Sequence, residues 1–449
     1  MRDVADGTGE TVELLRTLIR NECVNDGTED SGYEDRNADD ISSYLDGVGL
    51  DFEVLADVPR RSSVVTRIEG WDVMAPTLCL MGHTDVVPVT PSGWTRDPFG
   101  GELVDGEVWG RGAIDMLNLT ASMAVAVRHL AASGWKPRGT LVYLAVADEE
   151  AGGHHGAGWL AEHHYDHIRA DYVLTESGGI AMPTPTGTRV TVTVAEKGVA
   201  WQRLRVRGTP GHGSMPLATD NALVKAAEVV RRLHAYRPAA AIGDVWRAYV
   251  EALDVPDEMR RDLVDPARVY EACETLVRTE PGVGRLAHAC THTTFSPNVV
   301  HGGVKTNVIP DTVDIDVDMR TLPGEDAAAV QAHLAAALGD LAGEVEVIPL
   351  QDGPSSASPM DGPLWDSVSR AIAKQVPGAT PVPRFTAGGT DARFYREKGA
   401  VAYGFGLFSP AMTAGDFATR FHGNDERVDV ESLRLTTQLW IDVATDLLG

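Results

Sequence analysis

The sequence predicts an α/β protein in which a larger domain, with a largely parallel sheet flanked by helices, is interrupted by an inserted α+β domain. Three observations predict it. Apolar runs alternate with amphipathic helical segments through the first part of the chain, the pattern of strands joined by helical crossovers. After Glu196-Lys197-Gly198 the character changes to apolar/polar alternation, which suits strands with one face exposed. A length of 449 residues also exceeds what one hydrophobic core organises, so two domains are expected.

In chain order, Glu10 to Asn25 places Val12, Leu15, Leu18 and Ile19 on one helical face, and Asp40 to Val48 reads as a second helix. The apolar runs Ser63 to Ile68, Thr77 to Met81, Leu141 to Ala147 and Tyr172 to Thr175 read as buried strands. Leu119 to Ala132, rich in Ala, Val, Leu and Met, suits a helix packed on that sheet. Ala200 to Arg207 and Thr312 to Met319 are the alternating strands of the insertion, with a further strand at Glu344 to Ile348 and helices at Asn221 to Ala235 and Ala327 to Leu338. The Ser/Pro-rich Pro354 to Pro359 reads as the return hinge, and helices at Pro363 to Gln375 and Val430 to Leu448 complete the first domain. The expected boundaries are 1–195 with 353–449 for the larger domain and 196–352 for the insertion. Residues 236–290, Pro-punctuated and longer than a connection should be, are treated as an elaboration of the insertion.

The hydrophobic share of 43% supports sizeable cores, and a charged share of 23% is ordinary for globular proteins. The formal charge of −26 repels polyanions, which argues against nucleic acid or an anionic membrane as a partner. The N-terminal residues carry no apolar run of the signal-peptide kind, and no stretch approaches the roughly 18 apolar residues of a membrane span, so a cytoplasmic location is expected. Cys23, Cys79, Cys273 and Cys290 lack CxxC spacing and read as reduced, buried small hydrophobes.

The residues with chemistry to offer stand just past apolar strands or in loops following them. His83 and Asp85 follow Thr77 to Met81, Glu149 and Glu150 follow Leu141 to Ala147, Glu176 follows Tyr172 to Thr175, and Asp115 lies in Gly110-Arg111-Gly112-Ala113-Ile114-Asp115. Open α/β sheets bind ligands beyond the carboxyl ends of their strands, so such a sheet gathers these groups at one rim. Taken singly, each is ordinarily a cap or turn residue. Several acidic and imidazole clusters at equivalent positions point instead to a metal centre.

These segments resemble metallopeptidase family 20, which includes acetylornithine deacetylases, succinyl-diaminopimelate desuccinylases, aminoacylases and glutamate carboxypeptidases. The matching segments are Met81-Gly82-His83-Thr84-Asp85-Val86-Val87-Pro88, Gly110 to Asp115, Asp148-Glu149-Glu150, Glu176-Ser177-Gly178-Gly179 and Phe421-His422-Gly423. The resemblance implies a catalytic domain and a lid domain, and a hydrolase of amide or peptide bonds using two divalent ions. Zinc is the first candidate, with cobalt or manganese as the others. It implies that Asp115 bridges the ions, that His83 and Glu176 complete one site and Glu150 and His422 the other, and that the peptide after Asp115 is cis. Three protein ligands per ion leave room for a shared water. Asp85 would orient His83 from behind, and Glu149 would be the general base. Met116 stands where many members carry an acidic or small polar residue, which touches no proposed ligand.

Further matches lie in the inserted domain. Gly208 to Pro216, dense in Gly and Pro, displays His212, which the resemblance makes a donor to the developing oxyanion. Asn307, in Thr306-Asn307-Val308-Ile309-Pro310, and Arg320, in Asp318-Met319-Arg320-Thr321, would hold the polar end of the substrate, a guanidinium suiting a carboxylate. The loop Ala387-Gly388-Gly389-Thr390-Asp391 would offer backbone N–H groups to the same anion. The expected partner is a small amide or peptide bearing a free carboxylate, and a homodimer through the lid is favoured. The alternatives are an aminopeptidase or dipeptidase recognising a free amine, which Glu176 in place of Asp disfavours; a metal-binding protein without turnover, which Glu149 disfavours; and structural calcium, for which histidines are poor ligands.

Overall fold

The structure, a computed structural model, describes residues 7–184 and 187–449. The chain divides into two compact units, Met1–Val194 with Ser358–Arg384 and Thr390–Gly449, and Ala195–Ala357 with Phe385–Gly389.

In the first unit the strands Thr77–His83, Thr140–Val146, Tyr172–Thr175 and Val401–Gly404 run parallel in one sheet. Ser62–Ile68 and Phe52–Ala56 add to it antiparallel beyond Thr140–Val146, and Gly187–Glu196 pairs antiparallel with Val401–Gly404. The central strands are buried along nearly their whole length, so they read as continuous apolar runs, and alternate side chains enter opposite layers. Cys79, Met81, Val142, Leu144 and Val146 pack with Leu160, Ile168 and Tyr395 from the helices of one layer. On the other face lies the helix Leu117–Ala132, flanked by Thr8–Arg20 and Val430–Leu448. Gly82 faces that helix, and a Cβ there would stand 2.4 Å from the Thr120 hydroxyl. Only glycine lets the strand and helix approach so closely just before His83.

The second unit is a four-stranded antiparallel sheet in the order Thr294–Gly302, Thr312–Thr321, Gly198–Arg207, Val345–Gly353. Its apolar face packs on the helices Ala222–Ala235 and Ala327–Leu338, burying Leu204, Val206, Ile315, Val317, Val229 and Leu334. Asn221 and Asp326 cap these helices by accepting backbone N–H bonds. The other face carries in-register cross-strand ion pairs, Arg203 with Asp316 and Arg205 with Asp314, each bidentate. This division is what the alternating pattern demands.

Several elements differ from the sequence expectation. The first helix ends at Arg20, not Asn25, because Glu22 takes a positive φ and Val24 turns away to bridge Val86. The second begins at Asp35 rather than Asp40 and stops at Leu45, before Gly47 and Gly49. The return segment is not only a hinge, since Ser356–Ala357 forms a short strand against Ala195 and Glu196. Residues 236–290 hold four short helices, the last of them, Pro281–Thr291, ending just beyond. Near its end the carbonyls of Ala289 and His292, with the Thr294 hydroxyl, accept three hydrogen bonds from the buried Lys197 ammonium. The four cysteines are free and buried, as expected. Among the described residues no helix is long and apolar enough to cross a membrane.

Candidate metal centre

Three parallel strands deliver side chains to one rim of the first unit's sheet. His83 closes Thr77–His83, Glu149 and Glu150 begin the turn after Thr140–Val146, and Glu176 follows Tyr172–Thr175. Asp115 joins them from the turn before Leu117–Ala132, and His422 from the loop after the short helix Ala414–Arg420. Two donor groups result, His83 with Asp115 and Glu176, and Asp115 with Glu150 and His422; within each, the ligand atoms lie within 4.8 Å of one another. Asp115 belongs to both. Its Oδ1 is 3.1 Å from His83 Nε2 and its Oδ2 is 2.7 Å from His422 Nε2, so its two oxygens face different imidazoles. The Asp115–Met116 peptide is cis.

Glu149 lies outside both groups, its carboxylate 4.0 Å from His83 Nε2. Asp85 does more than the sequence suggests. His83 Nδ1 is 3.0 Å from the Asp85 carbonyl and 3.5 Å from its carboxylate. That carboxylate accepts the backbone N–H groups of Glu149 and Glu150, at 3.2 and 3.0 Å, and the Asn25 amide at 2.9 Å. Asp85 therefore orients the imidazole through its backbone carbonyl and holds the turn carrying both glutamates through its buried carboxylate. Behind it, Asn25 also donates to Asp148, and Arg61 bridges Asp148 and Glu34 at 3.1 and 3.0 Å. Sequence reasoning missed Asn25, Glu34, Arg61 and Glu426, and gave no role to Asp148 or Arg111 although both lie in matched segments; all six are buried. The available signal was position, because Arg111 lies four residues before Asp115 and Glu426 four after His422.

The electrostatics are those of crowded, desolvated acids. Burial pushes the Glu149 carboxyl up to about 8; His83 opposes this, while Glu150, Asp115 and Asp85 add to it. Burial, with the charge of Asp115, lifts Glu150 to about 7, and burial with Glu149 and Asp115 lifts Glu176 well above the usual carboxylate range. Asp115 goes the other way, because hydrogen bonds from His422 and His83 outweigh its burial. Burial disfavours the charged form of His422, yet bonds to Asp115 and Glu150 raise it to about 10.

This donor set fits divalent metal. Imidazole with carboxylate suits zinc, manganese or cobalt, and four inward carboxylates, Asp115, Glu149, Glu150 and Glu176, are matched in charge by two dications. Glu150 Oε1 is buried without a hydrogen-bond partner among the described residues, as an atom meant for a metal would be.

The second unit holds His212, Asn307 and Arg320. Gly211–His212 pairs with Val308–Ile309, so His212 and Asn307 share one two-stranded ribbon, and both are exposed. His212 Nδ1 accepts the Ser214 backbone N–H at 3.2 Å, which assigns the proton of the neutral ring to Nε2. Arg320 is less free than the sequence suggests, since Asp318 accepts two of its N–H bonds, at 2.7 and 3.3 Å. Gly388 is exposed and Gly389 partly so, whereas Thr390 is buried and its hydroxyl accepts the Ala392 N–H.

The family model described as peptidase family M20/M25/M40 matches residues 79–446. The chain is similar to the N-fatty-acyl-amino acid synthase/hydrolase PM20D1 of Xenopus tropicalis, at 27% identity over 84% of this chain and 73% of that one. It is 27% identical to the succinyl-diaminopimelate desuccinylase of Rhodospirillum centenum, over 96% of this chain and 95% of that one. Among solved structures, the M20 family metallo-carboxypeptidase Sso-CP2 of Sulfolobus solfataricus shares the fold, with a TM-score of 0.75 at 18% identity, covering 98% of this chain and 99% of that one. The chain belongs to peptidase family M20/M25/M40, a family of metal-dependent hydrolases that cleave amide and peptide bonds.

Proposed function

We propose that this chain hydrolyses the amide bond of an N-acyl amino acid or short peptide bearing a free carboxylate. Two divalent ions, zinc in the first instance, would be held by His83, Asp115 and Glu176 and by Asp115, Glu150 and His422. The observation that carries this reading is Asp115, shared between two donor groups, with Glu149 beside both and a member of neither. Bound there, the ions would acidify a shared water and polarise the scissile carbonyl.

The chain's own residues do the rest. Glu149 takes the water's proton and later delivers it to the leaving nitrogen, a role open to a carboxylate that stands beside the donor groups and belongs to neither. Asp85 holds its turn in place. His212, whose Nε2 carries the proton, donates to the carbonyl oxygen as negative charge develops. Arg320, with the N–H groups that Asp318 leaves free, Asn307 and the Gly388-Gly389-Thr390 loop receive the carboxylate. A homodimer through the inserted unit is supported by the edge strand Thr294–Gly302, which exposes Val299 and Val300.

The test is a hydrolysis screen of the zinc-loaded protein over N-acyl amino acids and dipeptides, each as free acid and as amide. Turnover of the free acids well above that of the amides is expected. Equal turnover of both, or a strict need for a free α-amine, would move the assignment to an aminopeptidase.

A further inference from the structure

Asp115 and His422 are far apart in sequence, and one buried ion pair registers them. Glu426, fully buried, accepts Arg111 Nη1 at 2.6 Å on one carboxylate oxygen. Its other oxygen accepts the backbone N–H groups of Ile114 and Asp115, at 2.6 and 3.1 Å. The Glu426 carbonyl accepts the Gly110 N–H at 2.9 Å, and Arg111 Nη2 donates to the His422 carbonyl at 3.3 Å. The turn that presents Asp115 is thus tied at both ends to the loop that presents His422.

His422 needs such a tie. Its side chain is 44% exposed and its φ is +54°, a backbone region that costs an L-residue energy and persists only where neighbours enforce it. His83 and Glu176 are placed differently. Both are buried, one closing a central strand and the other following one, and neither bonds to the pair.

We propose that Arg111 and Glu426 are positioning residues that set the spacing of Asp115 and His422, and so how tightly the ion among Asp115, Glu150 and His422 is held; the ion beside His83 and Glu176 feels them only through the shared Asp115. The inference rests on the two-ion reading of this centre. Charge-assisted bonds to backbone N–H groups are short and directional, so the pair fixes the spacing of the two segments as well as satisfying their polar atoms.

The test titrates the metal-free, full-length protein with zinc against a chromophoric chelator, for wild type, Arg111→Lys and the double variant Arg111→Met/Glu426→Met. The double variant removes both charges together, so neither is left buried alone, while Arg111→Lys keeps the charge and loses the fork that reaches both Glu426 and the His422 carbonyl. Wild type should bind two ions. In the double variant one of the two dissociation constants should rise at least tenfold and the other less than threefold, with Arg111→Lys between the two proteins. Raising free zinc should restore kcat/KM. Two ions in wild type with both constants unchanged in the variants, or equally weakened, would overturn the positioning role alone. Fewer than two ions in wild type would overturn it together with the two-ion reading.

Discussion

Replacing Glu149 by Gln keeps the side chain's shape and removes its capacity to take a proton. The carboxylate belongs to neither donor group, its closest approach to His83 is 4.0 Å, and the bond from its backbone N–H to Asp85 survives the change. Metal content should therefore stay at the wild-type value while kcat falls about 10²- to 10⁴-fold, the usual worth of a general base. At about 1.4 kcal/mol per decade this is roughly 3 to 5 kcal/mol of barrier. A second consequence concerns the metal-free protein. The Glu149 carboxyl is raised from 4.5 to about 8 in the fold, so between those values the folded chain binds more proton than the unfolded one and loses stability as pH rises. Gln abolishes that loss, so the metal-free variant should melt above metal-free wild type by a margin that widens from pH 5 to pH 8. The assays are steady-state kinetics, elemental analysis and calorimetry of the stripped proteins. Retention of more than about a tenth of wild-type activity would exclude Glu149 as the general base, and a margin that narrows with pH would exclude its raised carboxyl value.

His212→Ala should lower kcat about 10²-fold with little change in KM and no change in metal content, because an oxyanion donor acts in the transition state; a pure KM effect would argue for substrate binding alone. Arg320→Ala should cost about 10- to 100-fold in kcat/KM on a free-acid substrate and little on its amide, toward the low end for a charged contact because Asp318 already holds part of the guanidinium. An equal loss on both substrates would contradict carboxylate recognition. In the inserted unit, burial, aided by the charges of His288 and Lys197, depresses His292 to about 4 from 6.5. The unfolded chain then takes up proton before the folded one, and stability falls as pH drops through that window. His292→Asn should flatten the fall in melting temperature between pH 6.5 and 4.5, and an unchanged slope would contradict this.

The rim of the sheet was legible because the chemistry restricts residue type. His83, Glu149, Glu150 and Glu176 each follow an apolar run, and the runs Tyr172–Thr175, Ala327–Leu338 and Val430–Leu448 are bounded where the pattern places them. Thr294–Gly302 escaped notice because it is an exposed edge strand with Pro297 in its middle, so it shows no apolar alternation. The helices of 236–290 are 7 to 11 residues long, too short to show a sustained helical period. The residues supporting the site were hidden for another reason. Asn25, Arg61 and Asp148 meet only through the tertiary fold, and nothing local distinguishes a buried Arg61 from a solvated one. By contrast, the Asp318–Arg320 pairing was within reach, since residues two apart on a strand share a face.

Whether one centre, bridged by Asp115, holds two ions can be read from crystals of the zinc-loaded protein measured on either side of the zinc absorption edge. Two anomalous peaks roughly 3.5 to 4 Å apart are expected, with Asp115 between them, His83 and Glu176 on one, and Glu150 and His422 on the other. A single peak at full zinc loading, or two peaks with Asp115 bound to only one, would contradict it.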